Sequence, residues 1–140
     1  MTKNFTGPLE DRMAIREVLE TYADAVNQYD EETWASLWAD DSQWDLPDYP
    51  ELGTVAGKKA IVDMWRTAMP NYPKLSFSVS IGMIRVDGDT AAARAYISEV
   101  YDDPETGKDK RARGEYNDKL VKRNGKWLLK QRTFRVRHQT

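Results

Sequence analysis

The second half of the chain is written in period two, and that constrains the fold more than any other feature. Leu75, Phe77, Val79, Ile81 and Met83 alternate with Ser76, Ser78, Ser80 and Gly82, the pattern of a half-buried strand. Asp87-Gly88-Asp89 is a tight hairpin signal, and residues 91–102 read as the returning strand. Asp102-Asp103-Pro104-Glu105-Thr106-Gly107 is a longer turn, residues 111–122 form another strand, and Asn124-Gly125 is the strongest hairpin dipeptide in the chain. The last strand runs over residues 126–138. Four strands joined in order by turns predict an antiparallel meander.

The first half changes period. After the breaker cluster Thr6-Gly7-Pro8, apolar residues recur at helical spacing to Asn27: Met13, Ile15, Val18, Leu19, Tyr22 and Val26. Glu10 and Asp11 occupy the first turn, where the helix dipole favours acids. Asp30 is the expected N-cap of a second helix over 31–38, with Trp34, Leu37 and Trp38 inward and Asp40-Asp41-Ser42 as its end. A short strand over 43–46, a loop carrying Pro47 and Pro50, and a returning strand over 54–56 follow. Gly57 then opens a third helix over 58–69, closed by Pro70 and Pro73. Helices followed by a meander predict an α+β fold: a strongly bent antiparallel sheet, cone-shaped, with helices on its concave side. The 140 residues are read as one domain, with residues 1–8 a flexible lead-in.

Composition removes several function classes. Hydrophobic residues are 40% and charged residues 31%, an ordinary globular balance. A formal net charge of -2 argues against nucleic acid as a partner, and the basic run 108–113 is one hairpin tip with acidic neighbours. No cysteine is present, so thiol nucleophiles and cysteine metal sites are excluded. The one histidine, His138, cannot build a multi-histidine metal site and is expected to be a mobile terminal residue. No cofactor is expected. With no apolar run of spanning length and no signal-like N-terminus, the expectation is a cytoplasmic protein that does not enter membranes. Five Trp and seven Tyr are the unusual feature. They fill a core, line a cavity, or both.

Strand parity singles out one residue. In residues 91–102, Ala93, Ala95, Ile97, Glu99 and Tyr101 share a face. Four of the five are apolar or aromatic, so Glu99 is carried inward on an apolar wall. There its carboxyl would be desolvated, its pKa raised and its proton available for transfer. The alternative is a carboxylate at a sheet edge, in water or paired with an Arg.

Several segments, in order, follow one familiar pattern: Tyr22-Ala23-Asp24-Ala25-Val26-Asn27 with Asp30, Asp40-Asp41-Ser42-Gln43-Trp44, and Val55-Ala56-Gly57-Lys58-Lys59-Ala60-Ile61. So do Asp87-Gly88-Asp89-Thr90-Ala91, Tyr116-Asn117-Asp118-Lys119-Leu120 and Asn124-Gly125-Lys126-Trp127. The chain resembles the SnoaL-like branch of the nuclear transport factor two-like superfamily, which includes scytalone and bile-acid dehydratases, polyketide cyclases and a hexachlorocyclohexane dehydrochlorinase. The resemblance implies a cavity between helix and sheet, cofactor-free acid–base chemistry and frequent homo-oligomers, here a dimer or trimer. It puts Tyr22 at a pocket position, Asn27 where relatives have a catalytic Asp, and Phe77 at or beside their catalytic His. An Asp–His dyad is therefore absent, since neither Asn27 nor Phe77 accepts a proton at neutral pH. The acid on the next strand falls at Glu99.

The expected function is a lyase or isomerase (dehydratase, cyclase or double-bond isomerase) on a hydrophobic, ring-containing small molecule. Glu99 is the candidate general acid/base, while Tyr22 and Asn27 position a substrate oxygen. Trp44, Trp65, Phe77, Ile97, Phe134 and either Tyr96 or Tyr101 are candidate walls, with parity favouring Tyr101. Leu128, Arg132, Phe134 and Val136 share a parity, which makes Arg132 the inward one of three C-terminal arginines. It could meet a substrate carboxylate or Glu99, or belong to a charged outer face with Arg135 and Arg137. The strand 111–122 offers two faces, one with Arg113, Glu115, Asn117 and Lys119, the other with Gly114, Tyr116, Asp118 and Leu120; neither is cleanly apolar. The competing expectation is a non-catalytic ligand-binding or assembly module.

Overall fold

Four long strands in sequence order form the meander. They are β4 (Ser76–Asp87), β5 (Thr90–Asp102), β6 (Asp109–Arg123) and β7 (Lys126–Gln139) in a computed structural model that describes residues 3–140. Ahead of them come β1 (Phe5–Thr6), α1 (Leu9–Gln28), α2 (Glu31–Ser36), β2 (Trp38–Leu46), β3 (Gly53–Ala56) and α3 (Lys58–Ala68), the last continued by a 3-10 turn at Met69–Asn71. The sheet has seven strands in the order β1-β4-β5-β6-β7-β2-β3. It is mixed, because β1 runs parallel to β4 and β2 parallel to β7. The fold is α+β: α1 lies against β4 and β7, and α3 against β2.

Three boundaries differ from the sequence expectation, each for a local reason. Residues 38–42 are strand, not helix end: Trp38 pairs with Leu129, the register then shifts to Gln43 opposite Gln131, and Ser42 is buried in the bulged stretch between them. Part of the expected lead-in is anchored. Phe5 and Thr6 pair with Ile84 and Arg85, and Gly7 sits so close to Val86 that a Cβ would meet its Cβ at 2.7 Å. The first two residues of that lead-in lie outside the described residues. Met13, expected in the buried stripe of α1, is exposed, while Ile15, Leu19, Tyr22 and Val26 are buried.

Bulges interrupt the alternation. An extra residue at Gly82 turns the inward face from Ile81 to Ile84, leaving Met83 opposite Arg94 on the other side. An extra residue at Lys130 puts the fully buried Leu129, not Leu128, on the side of Arg132. On β5 there is no such interruption, and Ala91, Ala93, Ala95 and Ile97 are all buried. The β6 question is decided by burial: Gly114, Tyr116, Asp118 and Leu120 face inward, whereas Arg113, Asn117 and Lys119 are exposed. A bare Gly114 is required there, because the Phe134 ring would meet its Cβ at 2.3 Å.

Caps and pins fix the helices. Asp30 accepts a hydrogen bond from the Thr33 N–H, as its place before α2 predicts. Asp11 does more than face a helix dipole. It accepts from the Trp127 indole at 3.0 Å and from Lys122 at 3.1 Å, tying the start of α1 to the last hairpin. Between α2, α3 and β2, the rings of Trp34, Trp38, Trp44 and Trp65 pack at 4.7–5.9 Å between centroids. Four of the five tryptophans thus form one aromatic block under the helices.

Candidate functional site

Beside that block lies a cavity of about 180 Å³ between α1, α3 and the inner face of the sheet. Tyr22 and Val26 from α1, Trp44 and Leu46 from β2, Met64, Trp65 and Ala68 from α3 and Phe77 from β4 line one side. Ile97 and Glu99 from β5, Tyr116 from β6 and Phe134 from β7 line the other. Tyr49 and Leu52 from the β2–β3 loop and Tyr72 after α3 complete it. Of the residues expected on sequence grounds, Glu99, Tyr22, Trp44, Trp65, Phe77, Ile97 and Phe134 do meet at this cavity. Tyr101 is packed edge-on against Tyr72 at 4.6 Å, behind the lining. Tyr96 faces the opposite side of the sheet, 38% exposed. There it shares a second hollow, of about 400 Å³, with Arg113, Arg137 and His138.

Glu99 is the one ionisable acid in the lining. Among the described residues its carboxylate has no hydrogen-bond or ion-pair partner. Burial alone pushes its pKa up to about 7. Burial, followed by the nearby Glu99 charge, also raises the hydroxyl pKa values of Tyr49, Tyr72 (to about 12) and Tyr101, so all three stay neutral. Tyr72 is held from below: the Tyr29 hydroxyl donates to its carbonyl and accepts from the Leu75 N–H. Tyr29 reaches that point because it ends α1 in the left-handed conformation, φ 52°.

Two expected site residues have other employment. Asn27 does not face the cavity: its Nδ2 donates to the Phe77 carbonyl at 2.8 Å and its Oδ1 accepts from the Phe77 N–H at 2.7 Å. The amide stands in for a neighbouring strand where β1 no longer covers the edge of β4, and both of its ends are committed to the Phe77 backbone rather than to the cavity. Arg132 is inward, as parity predicts, but it meets neither Glu99 nor the cavity. Its Nε and Nη2 donate to Asp118 Oδ1 and Oδ2, both at 2.7 Å, with the two side chains almost fully buried. The guanidinium lies 4.3 Å from the Tyr22 ring centroid and 3.7 Å from that of Tyr116. Those two rings separate the ion pair from the cavity. Burial raises the pKa of the Tyr22 hydroxyl, against the opposing pull of Arg132.

Tyr49, Tyr72 and Tyr116 were not among the expected site residues. The first two sit in irregular segments, where no periodicity assigns a direction; Tyr116 lay on a strand with two mixed faces. Trp44 adds a polar handle: its indole N–H is buried in the lining without a protein acceptor. Among the described residues no group of three or more His, Asp and Glu is placed to hold a metal ion. Among the described residues no helix is long and apolar enough to cross a membrane.

Comparison with known structures agrees on the architecture. A hexachlorocyclohexane dehydrochlorinase (LinA) Type2 superposes with a TM-score of 0.82 at 20% identity, covering 94% of this chain and 88% of that one. A scytalone dehydratase-like protein from Novosphingobium aromaticivorans gives 0.82 at 22%, covering 94% and 87%. The Kfla4162 protein from Kribbella flavida gives 0.84 at 16%, covering 94% and 93%. At such identities the likeness shows the fold alone. Curated protein sequences give no match. The SnoaL-like domain model matches residues 7–133, nearly the whole chain, and the protein belongs to the SnoaL-like family.

Proposed function

We propose that the protein is a cofactor-independent lyase or isomerase that moves a proton on a compact, hydrophobic, ring-containing molecule, with Glu99 as general acid/base. The observation that carries this reading is an unpartnered carboxyl inside an otherwise aromatic and aliphatic cavity. A group with a pKa of about 7 gives and takes protons near neutrality with little penalty either way, the best compromise for acid–base work. Size supports a small substrate: a hollow of roughly 150 Å³ accommodates benzene, and this one is about 180 Å³. In this reading the Tyr22 hydroxyl keeps the part expected of it in holding a substrate oxygen, and the Trp44 indole N–H, buried without a protein acceptor among the described residues, takes the part expected of Asn27. A hydrogen-bond donor waiting where charge develops lowers the barrier without reorganising at the moment of reaction.

The test is Glu99→Gln, assayed by mass spectrometry of products from a panel of single-ring alcohols, halides and β,γ-unsaturated ketones. Turnover of a substrate found with the wild type should fall about 100-fold or more, with the fold unchanged by circular dichroism. Undiminished turnover rejects the assignment. The same reading places the protein in the cytoplasm, free of nucleic acid, and assembled as a dimer or trimer. The outer sheet face with its exposed Tyr96 supports the assembly, and light scattering in solution tests it.

A further inference from the structure

The cavity carries negative charge and no available positive charge. The titratable groups that share the lining with Glu99 are neutral tyrosines: Tyr22 from α1, Tyr49 from the β2–β3 loop, Tyr72 from the segment after α3 and Tyr116 from β6, with Tyr101 of its own strand behind them. Arg132, the one guanidinium on the inner side, is already held by both oxygens of Asp118 behind the Tyr22 and Tyr116 rings. The rim adds to the imbalance. Asp48 and Glu51 act on Tyr49. Lys74 and Lys110 are matched with Asp102 and Asp103. Aromatic faces are themselves the negative side of a quadrupole. A neutral guest that seals this hollow leaves an ionised carboxylate dry and uncompensated, which is costly. A cationic guest compensates it, and an acidic rim concentrates cations at the entrance.

We propose that the cavity selects compact organic cations, a ring or branched alkyl group bearing an ammonium centre, seated beside Glu99 and against Tyr49 and Tyr72. The inference rests on the reading of this cavity as the ligand site and adds the charge of what it binds.

The test compares benzyltrimethylammonium, whose charge does not depend on pH, with its neutral isostere neopentylbenzene. Both are titrated into the full chain by tryptophan fluorescence, which Trp44 and Trp65 report. At pH 8 the cation should bind at least about tenfold more tightly than the isostere. Its affinity should fall about tenfold between pH 8 and pH 6, following the ionised fraction of a single group titrating near 7. Glu99→Gln should remove the pH step and most of the preference; if that variant does not fold, the wild-type pH comparison decides alone. Equal or tighter binding of neopentylbenzene at pH 8, or a cation affinity unchanged by Glu99→Gln, overturns the proposal and leaves the lyase reading intact. Failure of both probes to bind overturns this inference together with the reading of the cavity as a ligand site.

Discussion

Two carboxyl side chains point into the interior from neighbouring strands, and the fold treats them oppositely. Asp118 on β6 is 3% exposed and held at both oxygens by Arg132, whose charge is further covered by two tyrosine rings. Glu99 on β5 faces a hollow and has no hydrogen-bond or ion-pair partner among the described residues. The first acid is spent on architecture: its charge is cancelled, and it welds β6 to β7 beneath the α1 helix. The second costs stability whenever it is ionised, a cost consistent with the proposed role in chemistry or binding. Within one fold, the presence of a counter-charge separates the two roles.

The contrast is broken most severely at Asp118. Asp118→Ala strands a buried guanidinium and should lower stability by about 3–5 kcal/mol in urea unfolding. Replacing both partners with apolar residues of similar size should cost far less, since then no charge is left alone. A loss under about 1 kcal/mol in the single variant would mean that Arg132 finds another acceptor, and the architectural role would be wrong.

Glu99 should behave in the reverse sense. Its folded pKa, about 7, is raised above the ordinary 4.5. The neutral acid is therefore favoured by folding: its contribution is fully present below about pH 4.5 and is lost as pH rises through 7. The penalty above that window is on the order of 3 kcal/mol. Because Asp11, Asp30, Glu31 and Asp41 have lowered values and act in the opposite direction at lower pH, the quantity to measure is a difference. Glu99→Gln should match the wild type near pH 4.5 and exceed it in unfolding free energy at pH 8. A difference that stays flat from pH 4.5 to 8 would show that water reaches the carboxylate freely.

How much of this was legible beforehand depends on whether a segment keeps its period. β5 runs without a bulge, so parity alone carried Glu99 and Ile97 inward. On β4 and β7 the extra residues at Gly82 and Lys130 invert the alternation, which misassigned Met83 and Leu128. Residues 38–42 looked like a helix end because Ala39, Asp40, Asp41 and Ser42 carry no strand signal of their own; pairing with β7 on either side, at Trp38 and from Gln43 on, draws them into the strand. The inward turn of Arg132 was readable, but its partner was not. A counter-ion one strand away at Asp118 is set by register between strands, and register is not written in either strand alone.

Asn27 gives the smallest of these effects. Its position in α1 is that of a pocket residue, yet the helix aims its amide at the bare edge of β4, where it exchanges two hydrogen bonds with the Phe77 backbone. Asn27→Ala should therefore cost about 1–3 kcal/mol, the value of two hydrogen bonds with their backbone partners left half-solvated. Because Phe77 lines the cavity, the loosened edge should also weaken ligand binding, and both affinity and stability should fall together. A substrate-orienting amide would act differently: turnover would drop while unfolding in urea stayed where it was. Measuring the two quantities on this one variant decides whether α1 offers the cavity a polar group at its C-terminal end, or only a clamp that holds one wall in place.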